Sequence, residues 1–181
     1  MPPEAIAASW VDFLDAVDAQ LSAPVDLHCL GGFVIAVRYG LTRPTADVDV
    51  LAAVPHTRLP ELLAIAGKGS RLARTHRVYI ELVTVATAPD GYERRLQTLF
   101  PGRFRNLRLS ALDPYDLVLA KLERNSEVDR DDVRLLATAV PLDVHVLRER
   151  YTRELRALIG NSAREDLTLD LWTEIIDEAR R

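Results

Sequence analysis

Two aspartates separated by a single valine, Asp47-Val48-Asp49, are the residues whose types and spacing most directly suggest chemistry. Acidic and apolar side chains alternate here, a period of two that predicts a β-strand over 47–51. Because residues two apart on a strand point to the same face, both carboxylates project together, with Val48 buried behind them. Adjacent carboxylates repel each other, so the pair predicts a site for a hard divalent cation such as Mg²⁺.

A third carboxylate is available from a second alternating segment, 77–85, in which Glu81 lies between Ile80 and Leu82. If that strand lies beside the first, three carboxylates can hold the two ions of a phosphoryl-transfer site. Plainer interpretations stay open. The aspartates could be solvated residues at a sheet edge, and Glu81 an ordinary exposed strand residue.

Gly31-Gly32 lies between a predicted strand at 25–30 and a predicted helix at 33–39. Free backbone N–H groups at a helix start attract phosphate, and glycine lets the phosphate approach the backbone closely. A bare Gly-Gly is most often only a turn. Its position before an acidic strand favours phosphate binding.

The elements that must position these residues are mixed helices and strands in the N-terminal part of the chain, followed by helices alone in the C-terminal part, the helical rear. The patterns predict an α+β fold, with a small mixed β-sheet flanked by helices. We expect an α/β domain over 1–140 and a C-terminal helical extension over 141–181, packed on it. The remaining predicted helices cover 4–21, 58–66, 113–123, 129–139, 142–159 and 165–180, and a further strand covers 104–109.

Composition is that of an ordinary globular protein, with 181 residues, 48% hydrophobic residues and a net charge of −4. Cys29 is the only cysteine, which excludes an intrachain disulfide and a cysteine-rich zinc site and suggests a reducing compartment. No apolar run approaches the ~20 residues of a membrane helix, and no signal peptide is evident. We therefore expect a cytoplasmic protein without a membrane partner.

The order of these features resembles the nucleotidyltransferase superfamily that includes DNA polymerase beta. In that order, an apolar residue precedes Gly-Gly, a helix follows, and Asp-x-Asp lies on the next strand. The stretch from Gly31 to Asp49 is most similar to its minimal bacterial branch, which contains the toxins of abortive-infection type (type IV) toxin–antitoxin systems and uncharacterised relatives. Two later features are also similar to this branch. Its lysine-bearing helix corresponds to Asp113-Pro114-Tyr115-Asp116-Leu117 followed by Lys121. Its Arg-Asp-x-x-Asp-Leu-type motif corresponds to Asp129-Arg130-Asp131-Asp132-Val133. The resemblance covers roughly 25–137.

The resemblance implies a nucleotidyltransferase fold and a nucleotide-binding role for four residues. Gly31 and Gly32 would cradle the phosphates of an NTP, and Arg43 and Thr45, which precede the acidic strand, would also contact the nucleotide. Many active members carry serine after the first glycine, where its hydroxyl helps to hold phosphate. Gly32 offers only its backbone.

The resemblance also implies the catalytic groups. Asp47, Asp49 and Glu81 would hold Mg²⁺ or Mn²⁺, Lys121 would contact the triphosphate, and Asp129 would act as an additional acid. From the residues alone, Lys121 could equally be a surface lysine, and Asp129 an acidic residue favouring a helix dipole. A further departure is Val128, where the toxins often carry a basic residue.

Three functions follow from these observations. The first is an enzyme that moves an NMP from an NTP to a hydroxyl of RNA such as tRNA, a protein or a small molecule, with a toxin role if the acceptor is essential. The second is a nucleotide-binding module without turnover. The third is a partner-docking subunit whose rear helices bind a cognate antitoxin through a leucine-rich stripe; the stripe consists of Leu142, Val146, Leu147, Leu155 and Leu158.

Arginines are concentrated in the middle of the chain, either as scattered solvated residues or as the lining of a groove for RNA. They are Arg71, Arg74, Arg77, Arg94, Arg95, Arg103, Arg105 and Arg108. The segment Gly67-Lys68-Gly69-Ser70 superficially suggests a phosphate-binding loop. It lacks the upstream glycine and the Ser or Thr after lysine, so we reject that interpretation.

Overall fold

The protein is described by a computed structural model that covers residues 8–40 and 45–180. The chain divides into two compact units. One contains residues 8–40, 45–84 and 96–111, and the other contains 85–95 and 112–180. These units do not test the predicted domain boundary after residue 140, which stays a prediction.

The first unit is built on a five-stranded mixed sheet with the order β3-β2-β1-β5-β4. The central strand β1 pairs antiparallel with β2 and parallel with β5, while β3 runs parallel to β2 and β4 antiparallel to β5. The strands are β1 (Val25–Leu30), β2 (Asp47–Val54), β3 (Tyr79–Leu82), β4 (Gln97–Leu99) and β5 (Leu107–Ala111).

Four helices accompany this sheet: α1 (Ala8–Gln20), α2 (Gly31–Tyr39), α3 (Leu59–Ala66) and α4 (Arg71–His76). Helix α2 contacts β1 and β2, α3 contacts β3, and α1 contacts α3, α4 and β5. Trp10 packs edge-on against Phe33 with ring centroids 5.0 Å apart. The core of this unit includes Phe13, Leu27, Phe33, Leu62 and Ile80, all at most 1% exposed.

The second unit is helical, with α5 (Pro114–Leu119), α6 (Glu127–Ala139), α7 (Val144–Arg150) and α8 (Ser162–Ala179). Helix α7 continues into a π-helical turn at Tyr151–Leu155. Helices α6 and α8 pack together, and the fully buried Trp172 of α8 donates its indole N–H to Asn125 at 3.1 Å.

The predicted fold class, a mixed α+β protein with a helical rear, is confirmed. Strand β1 has its predicted bounds, and α2 begins at Gly31 rather than at 33. Helix α4 and strand β4 were not predicted, because six and three residues are too few for a hydrophobic period to emerge. Within the described part of the chain, no helix combines the length and apolar character that a membrane crossing requires.

Candidate active site

The two aspartates of the motif lie on β2, as their alternation predicts. Val48 and Val50 are completely buried, while Asp47 and Asp49 are half-buried on the opposite face. Since side chains alternate across a strand, burial of the valines forces both carboxylates onto one face. The apolar core therefore orients the acidic pair.

Strand β3 brings Glu81 to this pair. It runs parallel to β2 in a register that places Asp49 opposite Glu81 and Asp47 opposite Tyr79. One carboxylate oxygen from each of Asp47, Asp49 and Glu81 lies within 4.8 Å of the other two. Three like charges this close repel one another, and a bound cation would offset that repulsion. An all-oxygen ligand set at this spacing fits a hard divalent ion.

Thr45 precedes β2 and donates its hydroxyl to Oδ1 of Asp47 at 2.5 Å. This bond restricts rotation of the Asp47 carboxylate and leaves its second oxygen, Oδ2, for a ligand. A direct contact between Thr45 and a nucleotide stays a prediction. Arg43, also predicted to bind nucleotide, lies outside the described residues.

Gly31 and Gly32 are the first residues of α2, and both are buried. The N-cap residue of this helix is Leu30, whose side chain provides no capping hydrogen bond. Gly31 has a φ of +74°, and a Cβ added to it would overlap Oδ2 of Asp49. Only glycine fits between the helix start and this carboxylate. The N-terminus of α2 thus adjoins the acidic site, and binding of a phosphate by its amides stays a prediction.

Tyr79 and Lys68 flank the acidic group on the β3 side, and the sequence did not point to either. Tyr79 lies two residues before Glu81 and shares its face. Burial and then the negative charges of the three carboxylates, that of Asp47 foremost, raise the pKa of the Tyr79 hydroxyl. The ammonium of Lys68 lies 5.6 Å from the centroid of the Tyr79 ring.

Lys121 and Asp129 are brought together in the second unit. The Lys121 ammonium donates to Asp129 at 3.2 Å and to Asp132 at 2.8 Å, and the residue is only 5% exposed. The alternative of a surface lysine is therefore wrong. A contact of Lys121 with triphosphate and an acid role for Asp129 stay predictions.

Asp129 is completely buried and also serves the start of α6. It forms a capping box with Ser126 and accepts two hydrogen bonds from Arg124, at 2.8 and 2.5 Å. Burial alone would raise the pKa of Asp129. The hydrogen bonds of Arg124, the charge of Lys121 and the helix cap outweigh burial and hold this pKa well below its usual range.

A second buried ionic cluster in this unit escaped the sequence analysis. Asp116 is completely buried and accepts from Arg95 at 2.9 Å and from Arg150 at 2.9 Å, while Arg150 also pairs with Asp113 at 2.8 Å. Burial raises the pKa of Asp116, and the arginines only partly offset it. Arg95 therefore has an internal structural role, which is neither of the two roles, solvated residue or lining of an RNA groove, that the sequence suggests for the arginines.

A family model described as "Nucleotidyltransferase of unknown function (DUF6036)" matches residues 13–180, which include every described residue of the acidic site and of both ionic clusters. Neither a curated protein nor a solved structure matches the chain.

Proposed function

The chain belongs to the family of nucleotidyltransferases of unknown function, and from that premise we propose that it transfers an NMP from an NTP to a hydroxyl acceptor. The observation that carries the proposal is the approach of Asp47, Asp49 and Glu81 to within 4.8 Å, beside a helix that begins with glycine. Carboxylates at this spacing, next to amides that can hold phosphate, are the parts that metal-assisted phosphoryl transfer needs.

Asp47, Asp49 and Glu81 would hold Mg²⁺ or Mn²⁺, which neutralises charge on the phosphates and activates the attacking hydroxyl. Gly31 and Gly32 would bind the triphosphate through their amides. In the reaction, the acceptor oxygen bonds to the α-phosphorus and the bond from this phosphorus to the bridging oxygen breaks. Pyrophosphate leaves with the electron pair, and the hydroxyl proton passes to water.

The test is incubation of the purified protein with each labelled NTP, Mg²⁺ or Mn²⁺, and total RNA. We expect label to enter an acceptor with the wild type and to be lost with Asp47→Ala. Asp131→Asn is the matched control, because Asp131 is an exposed aspartate paired with Arg134 in the other unit. Equal incorporation by Asp47→Ala and the wild type would exclude the proposed mechanism.

A catalytically silent nucleotide-binding protein is the second candidate, and Gly32 in place of serine favours it. Without a hydroxyl at this position, phosphate contacts rest on backbone amides alone. Calorimetry would distinguish the two functions. NTP binding without any release of pyrophosphate, in the presence of total RNA and Mn²⁺, would support the silent protein.

A toxin role is a finer proposal that depends on an essential acceptor such as tRNA. Expression of the wild type should then arrest growth, and Asp47→Ala should not. A neighbouring gene for a small antitoxin would add support, as would a copurifying partner on the rear helices. There Val146 and Leu158 are exposed, whereas Leu142, Leu147 and Leu155 are buried and belong to the core.

A further inference from the structure

The β3 side of the carboxylate group holds an aromatic ring and an ammonium to which the proposed transfer assigns no role. Tyr79 is half-buried, pairs in register with Asp47 and lies on the face that carries the acids. Lys68 is exposed, with its Nζ 5.6 Å from the Tyr79 ring centroid. An accessible ring and cation at the border of a phosphoryl-transfer site are a natural contact for a substrate.

The turn that carries Lys68 is held in place by backbone pairing. Gly67 forms a β-bridge with Ile80 and donates to the Leu63 carbonyl at 2.9 Å, and Ser70 donates to the Gly67 carbonyl at 2.9 Å. These bonds fix the turn beside β3. The backbone of Lys68 is therefore held beside β3, and its solvated side chain can reach the Tyr79 ring.

The two flanks of the carboxylate group suit different substrates. Gly31 touches Asp49 from the β1 side of β2, whereas Tyr79 lies on β3, on the opposite side. In an in-line displacement, the attacking and leaving oxygens lie on opposite sides of the transferred phosphorus. A triphosphate at the start of α2 therefore leaves the β3 flank for the acceptor.

The segment that leads into β3 is basic, which suits a polyanion. Residues 67–78 contain four lysine or arginine residues, one histidine and no acidic residue, in a chain whose net charge is −4. All four are exposed, namely Lys68, Arg71, Arg74 and Arg77. A hydroxyl on a protein side chain or a small molecule would not require this concentration of positive charge, whereas a phosphate backbone would.

We propose that Tyr79 and Lys68 receive the 3′ end of a single-stranded RNA acceptor. The Tyr79 ring stacks on the terminal base, and the Lys68 ammonium leaves the ring to pair with the adjacent phosphate. This inference rests on the proposed nucleotidyl transfer and names its acceptor. It assigns the incoming NTP to the other flank, at Gly31.

Covalent capture tests the position of the RNA end. Periodate converts the terminal ribose of an RNA hexamer to a dialdehyde, which condenses with a nearby amine to an imine and water; borohydride then reduces the imine to a stable amine. The chain has two lysines, Lys68 and the buried Lys121. We expect the oxidised hexamer to label Lys68 and leave Lys121 unlabelled, and oxidised ATP to spare both.

Lys68→Arg is the matched variant, since it keeps the charge and removes the amine. It should abolish labelling and retain most of the affinity for RNA. Because oxidation destroys the 3′-hydroxyl, labelling does not depend on catalysis. A hexamer that labels neither lysine, or a Lys68 label from oxidised ATP instead of RNA, would overturn the proposal.

Fluorescence anisotropy of a 5′-labelled RNA hexamer, without NTP, tests the stacking. Tyr79→Ala should weaken RNA binding about tenfold, and Tyr79→Phe should bind as the wild type does. Calorimetric NTP affinity should be unchanged in both variants, which also shows that the acidic site is intact.

The results distinguish failure of this inference from failure of the proposed function. Loss of NTP binding with unchanged RNA binding in Tyr79→Ala would overturn the acceptor assignment. Label that enters protein and never RNA in the transfer assay would also overturn it. RNA held through Tyr79 and Lys68 without transfer of any NMP would instead reject the proposed activity and support the RNA site.

Discussion

Gly31 and Asp49 are in direct contact: a Cβ at position 31 would lie 2.8 Å from Cγ of Asp49. Leu30, the residue before Gly31, pairs with Asp49 across β1 and β2. The start of α2 and the second aspartate of the motif are therefore joined by the sheet itself. This contact places the N-terminal amides of α2 beside the carboxylate group.

Replacing Gly31 with alanine should damage the acidic site, and Gly40 provides the control. Both glycines have a left-handed φ, +74° and +76°, but a Cβ at Gly40 would meet no atom of the described residues within 4 Å. Backbone strain should cost each variant about 1–2 kcal/mol. Only Gly31→Ala should also displace Asp49 and weaken Mn²⁺ binding by about tenfold or more in a titration. Equal Mn²⁺ affinities in the two variants would contradict the importance of this contact.

Asp47→Asn should abolish stabilisation of the protein by divalent ions without lowering its stability in their absence. Without divalent ions, its melting temperature should equal or exceed that of the wild type, since one of three clustered charges is removed. Mn²⁺ at 100 times its Kd should stabilise the wild type by about 2.7 kcal/mol, and this gain should be absent from the variant. Differential scanning calorimetry with and without Mn²⁺ measures both effects. A wild-type melting temperature that does not change when Mn²⁺ is added would argue against a metal site.

Lys121→Met should destabilise the protein by about 3–5 kcal/mol, because it removes the buried ammonium that pairs with the carboxylates of Asp129 and Asp132. Lys68→Met, at the exposed lysine, should change the free energy of unfolding by less than about 0.5 kcal/mol. Urea unfolding compares the two. Similar small losses in both variants would show that the buried pair contributes little.

The stability of the protein should depend on pH through Asp129. Its carboxyl has a lowered pKa in the folded state, so its contribution is fully present above its unfolded pKa of about 3.9. That contribution is lost as the pH falls through the lower, folded pKa. Asp129→Asn should therefore be less stable than the wild type at pH 7, and the difference should shrink below pH ~4. Urea unfolding at several pH values between about 2 and 7 measures this difference. If the free energies of unfolding of Asp129→Asn and the wild type differed by the same amount at every pH, Asp129 would be excluded as the source of the pH dependence.

Prediction from sequence succeeded where the signal is local. Strand β1 is a short, mostly apolar segment between Pro24 and Gly31, and its predicted bounds are confirmed. The edge strand β4 has only three residues and is defined by its pairing with β5, so no pattern within it could reveal it. The same reason explains why Asp116 was overlooked: its partners Arg95 and Arg150 lie far along the chain.

The sequence by itself determined that Asp47 and Asp49 share one face of a strand, because alternation of side chains is a property of the strand alone. Only the tertiary structure decided that Glu81 stands opposite Asp49, that Gly31 touches this aspartate and that Lys68 lies over Tyr79. Each of these contacts depends on the register between segments that are distant in the chain. Register is set by the packing of the whole sheet against its helices, which a local pattern does not encode.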